Sequence, residues 1–461
     1  MADIFDFGIG RARPRRQAAA VLGASIFGVC MIIAVPASAR VIDVPAQTTA
    51  APVQPVAATP NNDAQMQVMQ QKLEAIQNEL SQMTSGLVNQ SGSNAGLPLH
   101  GFMDVGYTLN SQGNNVTANP NVPNPRGFYE GRLSFYMAPQ FSDRVRALAE
   151  PNFEVDQLDG TVGVDIERLQ LGYAFSDAAT LWAGRFHTPY GYWNTAFHHG
   201  AQIQTSIFRP RFLDFEDSGG ILPAHTVGLW GTGKVRAGRG KFTYDWYLGN
   251  GPRIAGAQPV INPVVNPSDY QTGGLDPNIF GDDNHNALAG FNLGYEFPGM
   301  LDGLKLAVHM LNGKVSAYSD FPTTQFSSTW LNTTDLNVGG GSLVYLSNDW
   351  EIMSEYYGFN DKNMEDDSKH KSRAGYAQVG VNFDEVTPYI RMERVILDQA
   401  DNYFSMQANG QSYARQVLGL RYNLSQKACM KFEMMNSNFM QELGRTALSY
   451  RSLNVQYAIR F

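Results

Sequence analysis

Cysteine is nearly absent from this 461-residue chain: there are two, Cys30 and Cys429. The first lies in a segment that reads as a cleaved leader, so Cys429 would stand alone and no internal disulfide could form. Beyond that leader no window offers about eighteen uninterrupted apolar residues, which excludes a later membrane-spanning helix. If the mature chain crosses a bilayer, it crosses as strands. Positive charge is also in the minority, with 34 Lys and Arg against 42 Asp and Glu. That argues against a nucleic-acid partner. Gly-x-Ser-x-Gly, His-Glu-x-x-His and Cys-x-x-Cys are missing too, so no familiar arrangement of nucleophile, base and orienting group can be read from the spacing. An enzyme housed in the chain is the least favoured reading, and no cofactor is expected.

What is present begins with a basic stretch (Arg11, Arg13, Arg15, Arg16), an apolar run from about Ala18 to Val35 and the triplet Ala37-Ser38-Ala39. This pattern predicts a secretory signal peptide over 1–39, cut before Arg40. Removing it takes the formal net charge from -8 to about -10. Residues 40–63, rich in Pro, Ala, Val and Thr, read as a flexible linker. Over 64–88 the apolar residues Met66, Met69, Leu73, Ile76, Leu80, Met83 and Leu87 recur at alternating spacings of three and four. That narrow seam predicts a short coiled-coil helix, read as the stalk of a homotrimer, with a single amphipathic helix lying on the rest of the protein as the alternative. A second linker, 89–100, follows.

From 101 to 461 the texture is aromatics, glycine and short alternating runs. The final ten residues set the pattern: Leu453, Val455, Tyr457, Ile459 and Phe461 fall on one face, and Ser452, Asn454, Gln456, Ala458 and Arg460 on the other. Sixteen such segments can be marked, near 101–109, 128–138, 144–155, 164–175, 179–187, 225–235, 241–250, 286–297, 303–312, 337–346, 349–359, 373–383, 386–395, 414–423, 427–437 and 452–461. Tight turns alternate with longer polar connections between them. The expected fold class is all-β: a transmembrane antiparallel barrel of about 16 strands in the bacterial outer membrane, lipid outside and water within.

Several strands carry a basic residue opposite their apolar set: Arg132, Arg144, Arg146, Arg168, Arg185, Arg391, Arg421 and Lys431. The long connection 188–224 adds Arg209 and Arg211, together with Trp193, Phe197, Phe208, Phe212 and Phe215. Rings of that size are costly in water, so this segment is expected to fold inward and pack on the barrel wall. Gathered in a narrow lumen, the cations would attract anions. Alternatively each pairs with a lumen acid such as Asp104, Glu130, Glu150, Glu393 or Glu433, giving a crosslinked and nearly neutral wall. His187, His198, His199 and His225, with Asp214, Glu216 and Asp217, could offer metal donors. Adjacent histidines on an extended segment point apart, however, and hydrogen bonding within the loop, with sensitivity to pH, is the preferred reading.

The opening GFMDVGY (Gly101 to Tyr107) and GRFHTPYG (Gly184 to Gly191), with the leader, stalk and strand count, resemble trimeric porins of the phosphate-selective O/P type and the related coiled-coil-bearing dicarboxylate-uptake porins. The resemblance implies a homotrimer, a third external loop that narrows the channel, and passive diffusion of small hydrophilic solutes, anionic or polar. The porins resembled line their pores with arginine ladders and a lysine cluster. Here the arginines are scattered and the lysines few, so no particular solute is assigned. A structural tether or adhesin of the outer membrane is the alternative function.

Overall fold

A computed structural model describes residues 99–111, 126–155, 161–176, 178–197, 200–216, 218–255, 272–276, 285–319, 329–442 and 445–461. The expected leader, first linker and coiled coil lie outside these residues, as do His198, His199 and Asp217.

Eighteen strands are present among the described residues, and two of them, β8 (Arg253–Ala255) and β9 (Gly274–Asp276), form a small hairpin. The remaining sixteen are β1 (Leu99–Asn110), β2 (Gly127–Met137), β3 (Val145–Val155), β4 (Val162–Ser176), β5 (Ala179–His187), β6 (His225–Ala237), β7 (Gly240–Asn250), β10 (Ala287–Glu296), β11 (Leu304–Ser319), β12 (Thr329–Leu346), β13 (Trp350–Asn363), β14 (Lys369–Val381), β15 (Val386–Ile396), β16 (Tyr413–Ser425), β17 (Ala428–Phe439) and β18 (Leu448–Arg460). Each pairs antiparallel with its neighbours in chain order, β7 joins β10, and β18 returns to β1. The closing seam runs from Phe102 opposite Arg460 to Asn110 opposite Ser452. It is sealed by reciprocal bonds between Gly101 and Phe461, N to O at 3.1 and 3.0 Å. The Phe461 ring lies over Gly101, where a Cβ would push it aside.

Every one of the sixteen expected segments is a barrel strand. The departures are at the ends. β11 and β12 continue to Ser319 and from Thr329, well past the expected 312 and 337, because their outer-rim residues keep pairing, Ser316 with Asn332 and Ala317 with Leu331 among them. Leu99 and His100, expected in the second linker, belong to β1 and pair with Met137 and Tyr136. The β8–β9 hairpin was not anticipated, since three residues are too few to show alternation. One rim carries the tight connections, including 238–239, 347–349 and 426–427, and both chain ends of the barrel; the other carries 188–224, 251–286 and 397–412. Length alternates less strictly than expected: 138–144 on the tight rim is longer than 364–368 on the other.

Side-chain parity divides outside from inside. Leu171 is 65% exposed and Leu418 49%, while Ser437, Gln378 and Arg391 on inward positions have no exposure. Tyr173, Phe175, Trp350, Phe383 and Tyr422 are exposed near the tight rim, an aromatic girdle at one water boundary. A closed ring with an apolar outer belt and polar residues turned inward is the build of a bacterial outer-membrane barrel. Leu418→Arg, halfway along β16 on the outer belt, should therefore cost about 2–4 kcal/mol on folding into lipid vesicles, read from urea titrations, while Leu418→Phe should fold like the parent.

Candidate functional site

The inner segment 188–224 leaves the wall at the end of β5, and the GRFHTPYG stretch is its root. Arg185 is buried and its Nε donates to the Glu167 carbonyl at 3.0 Å. The Thr188 N–H donates to the Ala224 carbonyl at 2.8 Å, and its hydroxyl meets that of Thr226 at 2.7 Å. Asn194 closes the neck: its amide N–H groups donate to the carbonyls of Thr188 and Ala224, both at 2.9 Å. Gly191 has φ of 62° and lies directly under Glu355 and Tyr357, so a side chain there would be both strained and obstructed.

From this neck the segment crosses the interior to the opposite wall, β13 to β17. Trp193 and Phe212 are fully buried and Phe215 nearly so. Trp193 meets Tyr376 edge-on at 5.6 Å, and Phe212 meets Tyr357 at 5.5 Å. The aromatic content of the segment is thus spent on an interior core. Around that core the wall presents charges to the loop backbone. Glu355 on β13 accepts from the N–H groups of Tyr192 and Trp193, at 2.9 and 2.8 Å, and from the hydroxyls of Tyr357 and Tyr376, at 2.7 and 2.9 Å. It thereby caps the short helix α1 (Trp193–Ala196), which has no side-chain cap of its own. Glu433 accepts from the Ile207 N–H at 2.9 Å, and Glu393 from the Arg211 N–H at 3.0 Å.

The cations complete the set. Arg391 is fully buried; it pairs with Glu393 at 3.0 Å and donates to the carbonyls of Phe208 at 2.9 Å and Arg209 at 3.3 Å. Lys431 donates to the carbonyls of Ala201 and Ser206, and Arg421 to that of Gln204 at 2.8 Å. Arg209 and Arg211 are themselves buried within the loop. Arg209 donates to Leu213 O at 3.0 Å and to Asn194 Oδ1 at 2.9 Å, and Arg211 to Asn409 Oδ1 at 3.0 Å. Tyr192 remains a neutral phenol across the physiological range, pushed up to about 12 by burial with Glu351 and Glu355 beside it.

The near wall, β2 to β4, differs. Arg132 is about one-quarter exposed (24%), paired with Glu154 at 2.5 Å, and donates to Ser218 Oγ at 2.9 Å. Arg168 pairs with Glu150 at 2.5 Å and Arg146 is half-buried. A bulge against β3 leaves Glu167 without a register partner and turns both Glu167 and Arg168 away from the outer belt. That places Glu167 Oε2 2.9 Å from His225 Nε2, while Glu216 Oε2 of the loop lies 3.1 Å from Nδ1. Phe215 stacks on the same imidazole at 5.5 Å and carries the Arg209 guanidinium on its ring at 4.1 Å. Of the histidine and acid set, His225 and Glu216 come together as a hydrogen-bonded pair, with His187 at 4.8 Å ring to ring; among the described residues no three such groups form a metal donor set. Arg144 stands apart, exposed at the tight rim and bonded to Tyr173 Oη at 3.3 Å.

Sequence reasoning did not mark Glu355, Tyr357, Tyr376, Asn194 or Glu167. The one signal for Glu355 was its inward parity beside Tyr357 in an otherwise regular strand. Glu355→Ala would leave two backbone N–H groups and two hydroxyls without their acceptor, at about 1–3 kcal/mol for each that finds no new partner. The expected result is a lower melting temperature in detergent and new protease cleavage within 192–197, with Glu355→Gln intermediate.

No protein-family model matches the chain, and no curated protein sequence matches it. Among solved structures it is similar to the outer-membrane OmpT of Vibrio cholerae, at a TM-score of 0.49 and 11% identity over 80% of this chain and 99% of that one. It is similar also to an anion-selective porin from Comamonas acidovorans, at 0.48 and 11% over 79% and 99%. The outer-membrane channel DcaP of Acinetobacter baumannii gives 0.47 and 11% over 80% and 99%.

Proposed function

We propose that this protein is an outer-membrane porin, a passive channel for small hydrophilic solutes with a preference for anions. The observation that carries the reading is the asymmetry of the interior. The long inner loop is clamped to the wall of β13 to β17 and touches the β2 to β4 wall through Arg132 and Ser218, which leaves the Arg132, Arg146 and Arg168 side chains partly exposed beside it. Solute would pass between loop and near wall, meeting Arg132, Arg146 and Arg168 in a setting where field lines are focused. Arg185, Arg209, Arg211, Arg391, Arg421 and Lys431 would set the shape of the constriction and add to its potential. Glu154 and Asp165, themselves partly exposed, would temper that potential, which favours a modest preference over a strict anion filter. Solutes of this kind are carboxylates or phosphate, which guanidinium groups grip through paired hydrogen bonds. Residues 64–88 would form the coiled-coil stalk of a homotrimer.

Planar-bilayer recording in a salt gradient tests this. Stepwise conductance with a reversal potential of anion sign is expected. Arg132→Ala combined with Arg168→Ala should move that potential toward the cation side, whereas Arg391→Ala should raise conductance by loosening the loop. An unchanged reversal potential in the double variant would remove the near wall from the site.

A further inference from the structure

The connection 397–412 on the long-loop rim contains a short helix, α2 (Asn402–Ser405), and is tied down at two places. At one, Arg445 donates to Gln399 Oε1 and to the carbonyls of Phe404, Ser405, Gln407 and Gly410. At the other, Asp401 caps the helix by accepting from the Tyr403 N–H at 2.9 Å. Beside it Asp361, near the end of β13, accepts from the Asn337 N–H at 2.8 Å. Both carboxyl groups are fully buried. Each uses Oδ1 for its backbone donor, and the Oδ2 of each meets no donor among the described residues. Asn363, two residues on from Asp361, holds the segments together: its Nδ2 donates to the Ala400 carbonyl and its Oδ1 accepts from the Asn402 N–H, both at 2.9 Å, and each carboxyl group acts directly on the other.

Two buried carboxylates face to face cannot both be ionised. One proton between the two Oδ2 atoms would satisfy all four oxygens, with no further group required. The charged and titratable groups facing the pair are Asp335 from β12, His370 from β14, Asp398 from the same loop and Tyr403 from α2. Asp398 is engaged elsewhere, 2.9 Å from His370 Nδ1, and that bond with the Ala400 N–H holds it below the usual carboxylate range despite partial burial. Burial pushes the Asp401 carboxyl up, against the lowering pull of the Tyr403 N–H and of Asp361.

We infer that Asp361 and Asp401 share a single proton that pins the 397–412 loop to the barrel rim, and that its loss in alkaline solution unlatches the loop. The sign follows from linkage: a carboxyl whose folded-state value is raised gives its full stabilisation below the ordinary carboxylate value, and that contribution is lost progressively as pH climbs from there to the raised value. The effect would reach the interior, because Tyr403 Oη donates to the Ile221 carbonyl of the inner segment at 2.6 Å and Phe404 packs on Phe359 at 5.1 Å. Arg445 does not titrate in this range, so the loop would swing from that anchor rather than leave the barrel. The latch holds whether or not the barrel conducts.

The test is hydrogen–deuterium exchange of the full chain in detergent micelles between pH 6 and 10, corrected for intrinsic exchange. Protection of the 400–407 amides should fall about tenfold per pH unit from the acidic end of this range, where the opened loop's carboxyl groups are already ionised, and level off once the closed pair has lost its proton too. Asp401→Asn keeps an acceptor for Tyr403 and supplies an N–H to Asp361, so its protection should stay level throughout; Asp361→Asn should do the same, and serves if the first variant fails to fold. An unchanged alkaline fall in both variants would overturn the proposal. So would its disappearance in Asp398→Asn, which would make the His370 pair the sensor. Calcium raising wild-type protection at fixed pH would also overturn it, since a cation would then occupy the pair.

Discussion

A segment led through the middle of a barrel carries backbone N–H and C=O groups into a place where neither a helix nor a sheet ladder supplies their partners. Each such group left unpaired costs as much as a lost hydrogen bond or more. The rest of the interior is arranged around this constraint. The wall strands β13 to β17 offer carboxylates where the loop presents N–H groups and cations where it presents carbonyls, as with Glu433 to Ile207 and Arg391 to Phe208. The buried charges are therefore structural groups first. Glu393 illustrates the economy of the arrangement, since one carboxylate takes Arg391, the Tyr413 hydroxyl and the Arg211 N–H together. Such networks are stiff because removing any member strands the others.

The outer surface obeys the converse rule. Lipid offers no hydrogen bonds, so the ladder must close on itself and the side chains facing out must be apolar. Inside and outside are then linked through strand parity: the same β15 that turns Ile390 to the belt, 45% exposed, turns Arg391 and Glu393 to the loop. A local slip in register would send charge into lipid and hydrocarbon into the network together. The bulge at Glu167 is a controlled exception, allowing two consecutive polar residues to avoid the belt and one of them to reach His225.

Strand positions and the division of faces were legible in the sequence because lipid imposes a strict two-residue period, visible in Leu453 to Phe461 and in Leu169 to Phe175. The inward fold of 188–224 was legible as well, since Trp193, Phe212 and Phe215 have no other inexpensive destination. The partners of the basic residues were not. Arg391 and Glu393 are two apart on one strand, but what they grip lies about 180 residues earlier in the chain, at Phe208 and Arg211. No local pattern announces such a pairing. The neck formed by Asn194 was hidden for the same reason, and so were the outer ends of β11 and β12, where Val315, Ala317 and Leu336 turn inward to the core but stand among Gly, Ser, Thr and Asn in a stretch too mixed to show a clear alternation.

The seam between β1 and β18 has a consequence for assembly. Thr108 bonds to Asn454 across 346 residues of sequence, so the first strand has an open edge until the last one arrives. Contacts of such separation are slow to form, and an unpaired edge invites pairing with other chains in the meantime. Any route to the membrane that delays β18 therefore lengthens the interval in which that bare edge can take up a wrong partner.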